Sequence, residues 1–164
     1  MAGKLPLEPK DFKKSPKAKV AIVASLWHQD IIEIMVVSAK RQLINLGLSD
    51  KNINVVWAPG SHEIPLYAKL LFEADLELDG IIAFGVVLKG GTTHNDSVLQ
   101  AVVNSFASLS LTYSKPIINE VIGVNEIKDA EERAESKAAE AVFAFSEVYN
   151  FKKSLGKLNK NVGF

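Results

Sequence analysis

The chain has 164 residues, of which 48% are hydrophobic, with 19 Lys plus Arg against 19 Asp plus Glu and no cysteine. That length and apolar share suit one globular domain with one sizeable core. Balanced charge argues against a nucleic-acid partner, the missing cysteine removes disulfides and thiolate metal sites, and no apolar run approaches the ~18–20 residues that span a bilayer.

Residues 1–17 hold three prolines and five lysines and no apolar run of signal-peptide type. They predict an extended arm rather than a packed element, on an intracellular, cytoplasmic protein. Residues 19–26, K-V-A-I-V-A-S-L, form a continuous apolar strand of the kind that a sheet covers on both faces. From 30 to 46 the apolar residues Ile31, Ile34, Met35, Ala39, Leu43 and Leu46 recur at helical spacing, and Gly47 stops this helix as a left-handed cap. Residues 52–58 are a second strand. The turn Pro59-Gly60-Ser61 leads into a helix over about 62–74, with Pro65 tolerated in its first turn.

Residues 80–88 predict a third strand, 92–112 a third helix, 116–124 a fourth strand and 126–149 a last helix rich in Ala and Glu. The tail 152–164 is basic and polar and is expected to fray. Residues 18–151 therefore make one domain in which strand and helix alternate. Alternation of this kind implies α/β architecture: a three-layer αβα sandwich, flavodoxin-like, on a four-stranded parallel sheet. Ligands of such sheets bind beyond the carboxyl ends of the strands, where the turns at 26–30, 58–63, 88–94 and 119–126 all fall.

The richest of these turns follows residues 81–88. An apolar strand stops at Lys89-Gly90-Gly91, and Thr92, Thr93 and His94 open a helix. Backbone N–H groups at a helix N-terminus suit phosphate, and a histidine there tends to the neutral form able to take a proton. The turn has neither Walker nor dinucleotide spacing. A histidine that merely caps the helix explains the same residues.

The other turns stay equally open. Trp27 either stacks on a flat heterocycle or seals the core rim, and His28 reads as a solvated residue near a helix start. Ser61 as N-cap and Glu63 on the helix dipole need no ligand, yet both also suit polyol hydroxyls. Arg133 lies among Glu131, Glu132 and Glu135, either on a solvated charged face or as a bidentate phosphate clamp.

Taken in order, V-A-I-V-A-S-L-W-H, A-P-G-S-H-E-I-P, G-V-V-L-K-G-G-T-T-H-N-D, K-P-I and E-R-A resemble the lumazine synthase family of riboflavin biosynthesis, over about residues 19–149. The resemblance implies a cofactor-independent transferase. It would condense 5-amino-6-(D-ribitylamino)uracil with 3,4-dihydroxy-2-butanone 4-phosphate to 6,7-dimethyl-8-ribityllumazine, phosphate and water. Carried over, Trp27 would stack on the pyrimidine, Ser61, His62 and Glu63 would hold the ribityl chain, and Val86, Val87 and Leu88 would offer backbone groups to the uracil edge. Gly91 and Thr92 would cradle phosphate, and His94 would transfer protons. The resemblance also implies small-molecule substrates, no metal, no membrane partner and a homopentamer, in some members a shell of pentamers, with Asn119 and Arg133 entering each site from the adjacent chain.

Departures gather in that neighbour-derived half. Asn95, Asp96 and Ser97 follow the histidine where the family commonly has an aromatic, an acid and a tyrosine. Asn119-Glu120 stands for Phe-Gly. Residues 135–142, E-S-K-A-A-E-A-V, replace a glycine-bearing loop and put Ala141 at the usual site lysine, with Lys137 as a candidate substitute. Two readings follow: a lumazine synthase with an altered site, or a weakly active or inactive relative that forms shells or binds flavin-like ligands. An unrelated nucleotide-binding αβα domain is disfavoured by the paired turn motifs. The N-terminal arm either adds to a neighbour's sheet edge or stays loose.

Overall fold

The computed structural model describes residues 8–12, 17–90 and 94–161, with side chains through 156. Four strands form a parallel sheet in the order β2-β1-β3-β4. They are β1 (Val20–Ser25), β2 (Ile53–Ala58), β3 (Gly80–Leu88) and β4 (Ile117–Val124). The helices are α1 (Gln29–Asn45), α2 (Ile64–Ala74), α3 (His94–Tyr113) and α4 (Ile127–Asn161). Apart from the far end of α4, each strand and helix begins and ends within a few residues of its expected place.

The two central strands are buried on both faces, which is why they read as unbroken apolar runs. Side chains alternate between the faces. Val20, Ile22, Ala24, Ile82, Phe84 and Val86 pack under α1 and α4. Ala21, Val23, Ile81, Ala83 and Val87 pack under α2 and α3. The helix α1 ends as its glycine predicts: Gly47 has φ 100, and Leu48 donates from its N–H back to Leu43 O at 3.0 Å. Among the described residues no helix is long and apolar enough to cross a membrane.

Two expectations fail at the ends of the chain. Residues 8–12 do not hang free of the fold. Phe12 is 1% exposed, its ring 5.8 Å from Phe145 and 5.4 Å from Tyr149, and its N–H donates to Leu46 O at 2.7 Å. Lys10 adds an ion pair to Glu147 at 2.9 Å. One aromatic among many lysines is enough to anchor the segment, because α4 offers an aromatic seat for it.

The second failure is α4, which runs past 149 to Asn161 instead of fraying after 151. Lysines and leucines favour the helix there, Gly156 costs it near 1 kcal/mol, and Lys152 Nζ donates to Ser114 O at 2.8 Å. Phe12→Ala is therefore expected to cost about 3 kcal/mol in urea unfolding, as emptying a buried phenyl site does. A loss under about 0.5 kcal/mol would mean that the segment does not pack as described.

Candidate active site

The ladders of the sheet end at different heights. The β1–β3 pairing stops at Ala24↔Phe84, whereas β3–β4 pairing continues to Leu88↔Val124. Ile81 and Lys89 both donate from their N–H groups to β4-side carbonyls, Pro116 O at 2.9 Å and Val124 O at 2.7 Å. In a strand, one residue's N–H and C=O point to the same side and the next residue's to the other. Odd-numbered residues of β3 thus face β4, and Val86 and Leu88 face the space beyond β1. Both Val86 backbone groups and the Leu88 N–H have no ladder partner among the described residues. Val87, expected to serve with them, instead spends its backbone groups on β4.

The chain leaves β1 by a tight turn that keeps this space open. Leu26 N–H donates to Ala58 O at 2.9 Å, Ser25 Oγ lies 3.3 Å from Trp27 O, and His28 takes the left-handed conformation at φ 61. A non-glycine residue there costs of order 1 kcal/mol. Trp27 is left 70% exposed, so it does not seal the core rim.

The turn after β2 comes up beside it. A Cβ placed on Gly60 would stand 2.9 Å from Glu63 Oε2 and 3.4 Å from Trp27 Cδ1. The missing side chain is what lets the Glu63 carboxylate and the Trp27 indole meet over one backbone. His62 Nδ1 lies 3.6 Å from Glu63 Oε1, with both side chains open to solvent. Ser61 is placed differently from its expected cap: it is buried, makes no capping bond, and its Oγ lies 2.6 Å from where a Gly85 Cβ would be. The helix is entered through a short 3₁₀ turn, Ser61–Glu63, and this turn makes a serine cap unnecessary.

His94 begins α3 with its side chain exposed, while Gly91 and Thr92 lie outside the described residues. The carboxamide of Asn95 donates from Nδ2 to Leu88 O at 2.6 Å, and Lys89 Nζ lies 3.8 Å from Asp96 Oδ1. One chain does not join Asn119 or Arg133 to this group. Asn119 sits in mid-strand beside Ala83, its Oδ1 accepting from the Val121 N–H at 3.0 Å, and Arg133 is exposed on α4. Among the described residues no hydrogen bond or ion pair links either to Trp27, Glu63 or His94.

Lys137 is committed elsewhere. It pairs with Glu140 and stands 3.6 Å from Glu120 Oε2, whose side chain is only 12% exposed. Burial pushes the Glu120 carboxyl up to about 7; the Lys137 ammonium opposes this and the Glu140 charge adds to it. Burial pulls Lys137 the other way, but the Glu140 hydrogen bond and the Glu120 charge outweigh it, so its pKa is raised. Ala141 is fully buried in the core under α4. The Glu120–Lys137 contact and the Asn95 tie have no counterpart in what the sequence predicts, whereas Val86 and Leu88 were expected to offer backbone groups there. Only Asn95 and Glu120 carried any signal, as polar residues in unusual places.

A family model described as 6,7-dimethyl-8-ribityllumazine synthase matches residues 17–153. The chain belongs to that family. A relative of that name from Leuconostoc mesenteroides is 33% identical over 136 residues, covering 80% of this chain and 86% of its own. One from Xylella fastidiosa is 35% identical over 142 residues, covering 84% and 92%. A third, from Stenotrophomonas maltophilia, is 32% identical over 149 residues, covering 88% and 96%.

The Glu120 cluster gives a pH signature. Its carboxyl binds protons more tightly folded than unfolded, so its contribution is complete below about pH 4.5, is lost as pH rises to about 7, and is flat above. Glu120→Gln should therefore melt close to the wild type at pH 4.5 and be more stable at pH 8. The gain should be roughly 1–2 kcal/mol, allowing for partial solvation of the site. Thermal melts from pH 4.5 to 8 read this directly, and a variant less stable than wild type at pH 8 contradicts it.

Proposed function

We propose that this chain is a working lumazine synthase, a transferase of riboflavin biosynthesis. It condenses 5-amino-6-(D-ribitylamino)uracil with 3,4-dihydroxy-2-butanone 4-phosphate. The observation that carries this reading is the stretch of β3 beyond Phe84 left without a β1 ladder, at the same carboxyl edge of the sheet as an exposed Trp27. A pyrimidine stacked on the indole would find donors and an acceptor in line at Val86 and Leu88. The hydroxyls of the ribityl chain would reach Glu63 and His62, close to where Gly60 and Ser61 turn. The glycine turn with Gly91 and Thr92 takes the phosphate of the four-carbon substrate, and His94 shuttles protons beside it.

The chemistry needs little more than that. The amine attacks the ketone to give a carbinolamine, which loses water to an imine; phosphate is eliminated and ring closure expels a second water. Each step moves a proton, which suits an imidazole, and most of the acceleration comes from holding two substrates together. The site is completed at the seam between protomers of a homopentamer, with Asn119 and Arg133 supplied by the adjacent chain. The protein works in the cytoplasm.

A second reading keeps a specific support. Lys137, the candidate for the missing site lysine, is tied to Glu120 and Glu140, and Ala141 is buried. A pocket without that cation would bind a ribityl-pteridine and turn over slowly or not at all.

Mixing both substrates with purified protein decides between them. The enzyme reading expects lumazine absorbance to appear, and His94→Ala to cut kcat by about 10²–10⁴ while the particle is unchanged in size. An intact oligomer that binds a ribityl-pteridine without turnover supports the second reading. Sedimentation velocity should give a pentamer or a multiple of it, and a stable monomer in dilute buffer contradicts the shared site.

A further inference from the structure

The residue after His94 has no role in the proposed reaction, yet its side chain joins the start of α3 to the end of β3. Asn95 Nδ2 reaches back seven positions along the chain to donate to Leu88 O at 2.6 Å. That carbonyl is the last of β3 on the side facing the open edge. A second tie, Lys89 N–H to Val124 O at 2.7 Å, fixes the opposite side of the same strand end to β4. Asp96 contributes a looser contact to Lys89 Nζ at 3.8 Å. The first turn of α3 is thus held against the strand whose Val86 and Leu88 N–H groups face the ligand space.

We propose that Asn95 is a positioning residue: its carboxamide pins the start of α3 to the Leu88 carbonyl and so sets where the His94 imidazole stands relative to the Val86–Leu88 edge. This rests on the assignment of His94 to proton transfer. The bond also fixes what the edge offers. With the Leu88 carbonyl engaged by Asn95, the edge presents the Val86 and Leu88 N–H groups and the Val86 carbonyl. A family aromatic at this position would have no amide with which to make the tie.

A simpler role, starting the helix, makes an opposite prediction for one variant. A carboxylate in the first turn of a helix favours the dipole, so Asn95→Asp should fold as well as wild type or better. It cannot donate to a carbonyl, and it repels one. Positioning therefore predicts that Asn95→Asp and the apolar Asn95→Leu both lose at least tenfold in kcat, with the pyrimidine KM within about threefold and Asn95→Asp melting no lower than wild type. Asn95→Gln, which keeps the amide on a longer stem, should recover at least a third of the rate.

Amide hydrogen exchange gives a readout independent of turnover. Exchange at Lys89, whose N–H is bonded to Val124 O, should speed up at least tenfold in the Leu and Asp variants and stay near wild type in the Gln variant. Asp and Leu variants within twofold of the wild-type rate, or with unchanged exchange, would overturn the proposal. An inactive wild type would instead defeat the assignment of the reaction, and with it the role of Asn95 in that reaction.

Discussion

The constraint on which the site depends is a difference in strand length within one sheet. β3 keeps its ladder with β4 to Leu88, but its ladder with β1 ends at Phe84. Unpaired backbone groups normally have to be avoided or covered. Here they lie toward the carboxyl edge, with Leu88 in the open at 39% exposed and Val86 just inside it at 3%. The turn at Leu26, Trp27 and His28 carries the chain away from β3 and makes the gap. Gly60 lets the next turn close in from the far side, and Asn95 holds the third turn to the end of β3. Ligand sites at the switch point of a doubly wound sheet follow from this layout in general. The turns set the shape of this particular one.

Much of this was legible in the amino-acid sequence, and for physical reasons. Strands buried on both faces need continuous apolar runs, so 19–26 and 80–88 announce themselves. Gly47 stops α1 because few other residues adopt φ near 100 cheaply. Trp27 and Glu63 were legible as neighbours because they follow strands at one edge. Less legible were features that depend on a distant partner. Phe12 looks like one apolar residue in a charged arm until Phe145 and Tyr149 are brought to it. Lys137 looks free until Glu120, on another element, is folded against it. Ser61 looks like a cap, and only the packing of its turn on Gly85 shows it buried. The commitment of Val87 to β4 rather than to a ligand depends on ladder parity, which no spacing within the strand reveals.

The edge built from β1, β2 and β3 and the surface of β4 and α4 differ in chemistry. The first keeps an exposed ring, a carboxylate, open backbone groups and a histidine at one edge. In the second, β4 carries the half-buried Glu120 carboxyl, raised to about 7 by burial, with the Lys137 ammonium of α4 3.6 Å away. The stretch that follows Arg133 is continuous helix with Ala141 in its core. These changes form one consistent set: a carboxylate at 120 calls for a nearby cation, and Lys137 on α4 supplies it. Catalysis that relies on proximity and proton transfer tolerates such a change better than catalysis built on a dedicated nucleophile or metal.

The central claim is that a flat heterocycle lies on Trp27 and bonds to the even-numbered backbone of β3. A crystal structure with 6,7-dimethyl-8-ribityllumazine tests it most directly. The account predicts the ring system parallel to the indole and polar atoms within about 3 Å of the Val86 and Leu88 backbone, with Val87 still bonded to β4. A ligand seated away from Trp27, or β1 paired with β3 through Leu88 so that no edge is open, would contradict it.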